Sequence, residues 1–342
     1  LELIVMLSKK QIKRAGEALA NNPKDVEAMA ILSQWRSLHA HPINTFQAML
    51  RKRKELKHAT IAQRLKRTPS IIRKIQRFEG MNLARMQDIG GIRVIVSNIS
   101  EVYRLHKSLI NGRHQHEPLL PPKDYISSPK DDGYRSLHQV FKYNSPNDEL
   151  KGLQIELQIR TRIQHYWATA VETLGLIEKS SFKTGEGSEE YKRFFKLASV
   201  LFCHYEKARI LPEFQNTPIK EVIDEFENLE NKLQAFNKLN GLLVTGRHIS
   251  NVKTKGEFYY LMELNTQEKT VSLTPFEKKQ LHQAENMYQL LEVQNVDNPH
   301  IELVLMSAKS FKEVKKAYPN YFLDTQSFIE SLEKICQKYK KV

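Results

Sequence analysis

The chain has 342 residues, with 53 Lys and Arg against 39 Asp and Glu and a formal charge of +14, so it is long enough for one large domain plus a smaller one, and its basic balance favours polyanionic partners such as nucleotides or RNA. Two cysteines far apart in sequence, Cys203 and Cys336, support neither a disulfide framework nor a cysteine zinc site, which fits a reducing cytoplasm. No run approaches the roughly 18 apolar residues of a spanning helix, so secretion and membrane insertion are not expected.

From Ser8 to about Arg53 the apolar spacing predicts helices, broken at Asn22-Pro23, with Ala28, Ile31, Leu32 and Trp35 on the second. Trp35, Arg36 and His39 share one face of that helix, read as a buried ring under a polar cap with no catalytic role. Residues 51–77 carry eleven Lys or Arg and one acidic residue, Glu55. Within them Ser70 is the expected N-cap of a helix bearing Arg73, Lys74 and Arg77. Gly90 and Gly91 are expected to break the chain before a buried strand over Ile92 to Val96, with Asp88 at its entrance.

Residues 101–111 read as a helix crossing back, and 138–145 and 153–161 as further strands. In the last of these Ile155, Leu157 and Ile159 alternate with Glu156, Gln158 and Arg160, the pattern of a strand with an apolar and a polar face. Residues 191–239 are helical by pattern with a break near Pro212. From Gly241 the character changes to strands (LLVTGRHI, EFYYLMEL, KTVSLTPF, IELVLMS), an intervening helix and terminal helices interrupted at Tyr318-Pro319-Asn320-Tyr321. A mixed sheet with helices, α/β or α+β, is the expected class. The basic surplus is uneven: residues 241–342 hold 14 basic against 12 acidic residues, leaving 39 against 27 upstream.

Two carboxylates, Asp88 and Glu156, sit at strand positions beside Gly and Arg residues, which suits a Mg²⁺ ion on a triphosphate. Arg64, Lys66, Lys74, Arg93 and Lys130 are placed to bind phosphate oxygens. The GxxxxGK[ST] loop and the kinase motifs are absent, so side chains must handle the phosphates. Tyr134, after Gly133, offers a ring for a base to stack on.

RLKRTPSIIRK, DIGGIR, KDYI-x-x-PK-x-x-GYRSLH and ELQIRT-x-x-QHYWA-x-x-x-E, in that order over about residues 50–175, resemble the synthetase domain of the RelA/SpoT family. Members transfer the β,γ-pyrophosphate of ATP to a ribose 3′-hydroxyl. The resemblance implies an α+β fold: a mixed-sheet, nucleotidyltransferase-like synthetase domain flanked by helices over residues 1–240, and a smaller C-terminal α+β domain over 241–342. It implies that Arg64, Lys66, Lys74 and Arg93 bind ATP, that Asp88 and Glu156 hold Mg²⁺, and that Glu156 assists deprotonation. Lys130, Tyr134, His138, Gln158 and Arg160 would surround the acceptor. As a metal ligand Glu156 is a poor proton acceptor, so positioning is expected to carry much of the activation. His165 and Trp167 are read as wall and Glu172 as a helix anchor.

The family contains enzymes that act on GDP or GTP and toxic relatives that act on the 3′-terminal adenosine of tRNA. The C-terminal extension is similar to that of CapRel-type fused toxin–antitoxin proteins of phage defence, in which a pseudo-zinc-finger-like module restrains the toxin until a phage protein binds it. Tyr318 and Tyr321 supply the matching Y-x-x-Y pair, implied to occupy the ATP site between Arg64 and Arg93. The expectation is a cytoplasmic pyrophosphokinase acting on tRNA and autoinhibited by its C-terminal domain. The alternative is an alarmone synthetase acting on GDP or GTP.

Overall fold

The computed structural model describes residues 7–177, 188–240, 258–268, 270–295, 298, 300–308, 313–314 and 325–340. Tyr318 and Tyr321, like the expected strand LLVTGRHI, lie outside the described residues.

Three helices open the chain: α1 (Lys9–Asn21), α2 (Val26–Leu38) and α3 (Ala40–Arg51). Ser8 and Gln11 form a reciprocal capping box at α1, and Asp25 caps α2 through the amide of Ala28, so the Asn-Pro break is built from ordinary cap chemistry. Then come β1 (Thr60–Leu65), α4 (Thr68–Arg77), β2 (Gly90–Val96), α5 (Ile99–Ile110), β3 (Glu117–Asp124), β4 (Leu137–Lys142), β5 (Gln154–Thr161) and α6 (Arg162–Ile177). Helices α7 (Glu189–Glu206), α8 (Ile219–Leu233) and α9 (Ala235–Asn240) follow. The C-terminal segment adds β6 (Phe258–Asn265), β7 (Thr270–Glu277), α10 (Leu281–Gln294), β8 (Ile301–Ala308) and α11 (Gln326–Lys340).

The eight strands among the described residues belong to one sheet, in the order β3-β4-β5-β2-β1-β8-β6-β7. β2 and β5 run parallel, and the other pairs are antiparallel, so the class is α+β with a mixed sheet. The C-terminal strands continue the sheet through β8, where Arg64 pairs with Met306 and Gln63 with Ser307. One face of β1, β2, β4 and β5 is apolar (Ile61, Leu65, Ile92, Val94, Leu137, Phe141, Ile155, Leu157, Ile159) and is covered by α3 and α5. Each such fully buried side chain contributes about 1.5–3 kcal/mol, which fixes the strand registers because a one-residue slip would turn the whole set outward. α10 covers the same face of the C-terminal strands, through Tyr259, Leu261, Leu303 and Leu305. Beyond the sheet, α6 to α9 and α11 share a separate core containing Trp167, Phe194, Phe226, Phe328 and Leu332.

Several expectations are corrected. Ser70 is not the N-cap: α4 begins at Thr68, and Pro69, whose fixed φ suits the first turn, starts the helix earlier. Gly90 and Gly91 do not break the chain before β2 but are its first two residues. At Gly90 a Cβ would lie 2.7 Å from Ile43 and 2.9 Å from Ile155, so the glycine serves close packing of α3 and β5. Two strands were not expected: β1, hidden among basic residues, and β3, whose Pro118, Pro121 and Pro122 read as non-strand. β3 is an edge strand with a register shift between Leu119 and Lys123, the setting in which proline is tolerated. The strand expected over 138–145 ends at Lys142.

Candidate active site

The second face of the central strands carries the polar residues, and strand register lines them up. One row runs Arg64 (β1), Gly91 (β2), Glu156 (β5), Val140 (β4), and the next Ala62, Arg93, Gln158, His138. Gly91 therefore leaves bare floor between Arg64 and Glu156: a Cβ there would meet nothing closer than the Arg64 carbonyl oxygen at 3.8 Å. Arg160 lies one further row along β5.

On that floor the acidic and basic groups are paired. Lys66 Nζ donates to Asp88 Oδ2 at 2.9 Å and Lys74 Nζ to Asp88 Oδ1 at 3.0 Å. Burial opposes ionisation of Asp88, and so does the nearby charge of Glu156, but Lys66 and Lys74 together hold its carboxyl below the usual range. Glu156 is the centre of a chain of side chains. The His138 imidazole bridges the Tyr134 hydroxyl (2.8 Å) and Glu156 Oε1 (3.0 Å), Gln158 Nε2 donates to Glu156 Oε2 (2.8 Å), and Arg160 Nη2 donates to Gln158 Oε1 (2.7 Å). Burial works against both charges of the central pair, yet His138 holds Glu156 below its ordinary value, and Tyr134 and Glu156 together hold His138 above its own. Two paired, hydrogen-bonded charges survive in this setting where either alone would neutralise.

Asp88 and Glu156 are hard oxygen donors close enough for one charge to perturb the other. Among the described residues no group of three or more His, Cys, Asp or Glu side chains is placed to hold a metal ion by itself. Two carboxylates with phosphate oxygens and waters completing the shell are what magnesium takes in nucleotide enzymes, so the residues fit that ion.

The loop 125–135 builds the other wall. Lys130 Nζ lies 4.8 Å from the centroid of the Tyr125 ring and 5.3 Å from that of Tyr134, and the two rings meet edge to face. The loop is pinned from behind: Arg135 donates to the carbonyl of Arg209 and to Ser199 Oγ, which itself donates to the carbonyl of Gly133. Gly133 has φ +91°, and a Cβ there would come 2.8 Å from Ser199 Cβ, so this turn requires glycine. Trp167, buried, donates its indole N–H to the Phe195 carbonyl at 2.7 Å, and His165 is buried beside it, as walls of the α6–α7 layer.

Ten of the eleven catalytic and binding positions singled out from sequence fall on this face or its rim as a set. Arg64 reaches it from β1 and also borders a cavity of about 20 Å³ shared with Tyr259, Glu285 and Met306 of the C-terminal segment. Lys130 stands apart from Lys66 and Lys74, over the tyrosine rings. Tyr125 was overlooked although it stands within the KDYI motif. Arg36, read as a polar cap, is also more than that: its partners Tyr288 and Glu292 are over 250 residues away, and no local signal announces them.

The profile of a family described as "Region found in RelA / SpoT proteins" matches residues 63–185. The GTP pyrophosphokinase YjbM of Bacillus subtilis is 30% identical over 160 residues, covering 44% of this chain and 74% of YjbM. The chain belongs to the RelA/SpoT family. The GTP pyrophosphokinase YwaC of Bacillus subtilis is 35% identical over 115 residues, 31% of this chain and 52% of YwaC, so the chain spans about half the length of that relative. Among solved structures, the small alarmone synthetase 1 of Bacillus subtilis bound to its product pppGpp aligns at TM-score 0.44 and 23% identity, over 50% of this chain and 90% of that one. Among the described residues no helix is long and apolar enough to cross a membrane.

Proposed function

We propose that this RelA/SpoT-family chain is an ATP-dependent pyrophosphokinase whose acceptor is the 3′-hydroxyl of a guanosine nucleotide, GDP or GTP. The observation that carries the reading is the polar face, where register sets Arg64, Glu156 and Arg93 about the bare floor at Gly91 and Lys66 and Lys74 hold a second carboxylate, Asp88, at the entrance of β2. The names of the relatives YjbM and YwaC support the guanosine nucleotide as acceptor. An acceptor on the tRNA 3′ end is the second reading, supported by the charge of +14, most of it before residue 241.

In this reading Arg64 and Arg93 hold the adenine and phosphates of ATP, and Lys66 and Lys74 leave Asp88 for the phosphate tail. Asp88 and Glu156 hold the magnesium ion, which when bound neutralises charge on the triphosphate. The acceptor base stacks at Tyr134, with Lys130, His138, Gln158 and Arg160 around the nucleotide. The acceptor oxygen attacks the β-phosphorus as its proton passes to solvent water, the bond from that phosphorus to the α,β-bridging oxygen breaks, and AMP departs with that oxygen. Because Glu156 is kept anionic by His138 and Gln158, its contribution lies in holding charge and orientation rather than in carrying the proton away.

We also propose a division of labour in which residues 1–240 carry the transfer and 241–342 regulate it, with Tyr318 and Tyr321 as the restraining pair and a phage protein as the release signal. Attachment of β8 directly to β1, the strand of Arg64, supports communication between the two parts. The test is incubation of purified protein with γ-³²P-ATP and magnesium, with GDP, GTP or total tRNA as acceptor. Label on the guanosine nucleotide supports the reading, label on tRNA shifts it to the second, and label on neither counts against both.

A further inference from the structure

Lys66, Arg67 and Thr68 join β1 to α4 and so deliver both lysines that hold Asp88. This junction is held by residues far away in sequence. Arg36 of α2, 3% exposed, donates through Nε to the Lys66 carbonyl (2.9 Å) and through Nη1 to Thr68 Oγ1 (2.8 Å). The same guanidinium donates to Glu292 Oε2 (3.0 Å) and to the Tyr288 hydroxyl (3.0 Å), both on α10. Helix α4 has no side-chain cap from its own N-cap residue, Arg67. Glu292 serves instead, accepting from the Thr68 amide (3.3 Å) and hydroxyl (2.8 Å). An anion at that end of a helix is favoured by the unpaired amides and the dipole. Tyr288 donates to Glu292, and Arg67 pairs with Glu302 of β8, so the C-terminal segment meets the junction at both Arg67 and Thr68.

We propose that Arg36, Tyr288 and Glu292 form a positioning unit for Lys66 and Lys74, so that α10 of the regulatory segment sets the geometry of the triphosphate site in residues 1–240. The inference rests on the pyrophosphokinase reading. Arg36 fixes the backbone at Lys66, whose own amide is tied to the Ile89 carbonyl at 2.8 Å beside Asp88. Glu292 fixes the first turn of α4, and Lys74 projects from the same rigid helix less than two turns on. Loss of the Glu292 carboxylate leaves the buried Arg36 charge uncompensated, and the junction has to rearrange to rehydrate it. A shift of that kind moves both lysines relative to Asp88 and leaves the Tyr134 wall, built from β4, α7 and the 125–135 loop, where it is.

The test is steady-state kinetics of full-length Glu292→Ala, Glu292→Gln and Tyr288→Phe with ATP and acceptor varied separately. The expected result is a KM for ATP raised on the order of tenfold in Glu292→Ala, with the KM for acceptor unchanged. Glu292→Gln, which keeps an acceptor oxygen for the Thr68 amide, recovers part of the loss. Unchanged KM for ATP with a lowered melting temperature means a merely structural clasp and overturns the inference. Should Glu292→Ala not fold, Tyr288→Phe decides by the same split between the two KM values. If the wild-type chain transfers nothing, the pyrophosphokinase reading fails by itself, and ATP affinity of the same variants by calorimetry still decides the positioning role: equal affinity overturns it, and weaker affinity supports it.

Discussion

Glu156 and His138 lie on neighbouring antiparallel strands with Oε1 and Nδ1 3.0 Å apart, and this pair joins the wall at Tyr134 to a carboxylate whose charge bears on Asp88. Replacing Glu156 by Gln removes the charge while keeping shape and the possibility of hydrogen bonds. Transfer from ATP is expected to fall by at least about a hundredfold, with the circular dichroism spectrum unchanged. Asp88→Asn is expected to fall comparably, because it leaves Lys66 and Lys74 facing each other with no anion between them. Retention of near wild-type transfer in either variant would remove that carboxylate from the site.

Adjacent glycines offer a contrast between packing and function. Gly90→Ala drives a methyl group to within 2.7 Å of Ile43 and 2.9 Å of Ile155 in the core, which is expected to destabilise the chain by about 1–3 kcal/mol. Gly91→Ala makes only an ordinary contact at 3.8 Å with the Arg64 carbonyl oxygen and is expected to leave the unfolding midpoint within error. Gly91→Val fills the floor between Arg64 and Glu156 and is expected to depress transfer while folding normally. Denaturant titration paired with the label-transfer assay separates the two effects; a Gly91→Val enzyme of full activity would show that substrate does not lie there.

Burial holds the His39 imidazole at about 4, the bond from its Nδ1 to the Trp35 carbonyl only partly opposing it. The unfolded chain takes up this proton near 6.5 and the folded chain only near 4. The stability this group contributes is therefore complete above pH 6.5 and is lost as pH falls toward 4. Between pH 7 and pH 5 the loss from this site is about 2 kcal/mol. In His39→Gln that part of the slope should vanish, which urea midpoints of the two proteins at both pH values would reveal; parallel slopes would mean that His39 is solvated.

Removal of residues 258–342 is expected to yield insoluble protein instead of a freed enzyme. It strips β8 from β1 and takes Phe328, Ile329, Leu332 and Ile335 of α11 out of the core of α6 to α9. Those four side chains alone represent about 6–12 kcal/mol of burial, comparable to the whole stability of a domain at about 5–15 kcal/mol. Restraint by Tyr318 and Tyr321 is better tested by Tyr318→Ala and Tyr321→Ala in the full chain. These should transfer faster than wild type with equal melting temperature, and equal rates would count against restraint.

The sequence by itself determined the local features of this protein. Alternation in IELQIR separated the apolar and polar faces of β5, the apolar spacing between Ser8 and Arg53 marked the first helices, and four linked motifs picked out ten residues that the fold brings to one face. These signals are short-range, since side-chain direction along a strand and the chemistry of a helix end need only a few neighbours. Only the tertiary structure decided that Gly91 is bare floor while Gly90 is packing, because the difference lies in what α3 and β5 bring against each. It alone joined the C-terminal strands to β1 and set Glu292 of α10 at the start of α4. Arg36 and Glu292 are 256 positions apart, and pairing at that distance follows from how buried charges find partners in the folded chain.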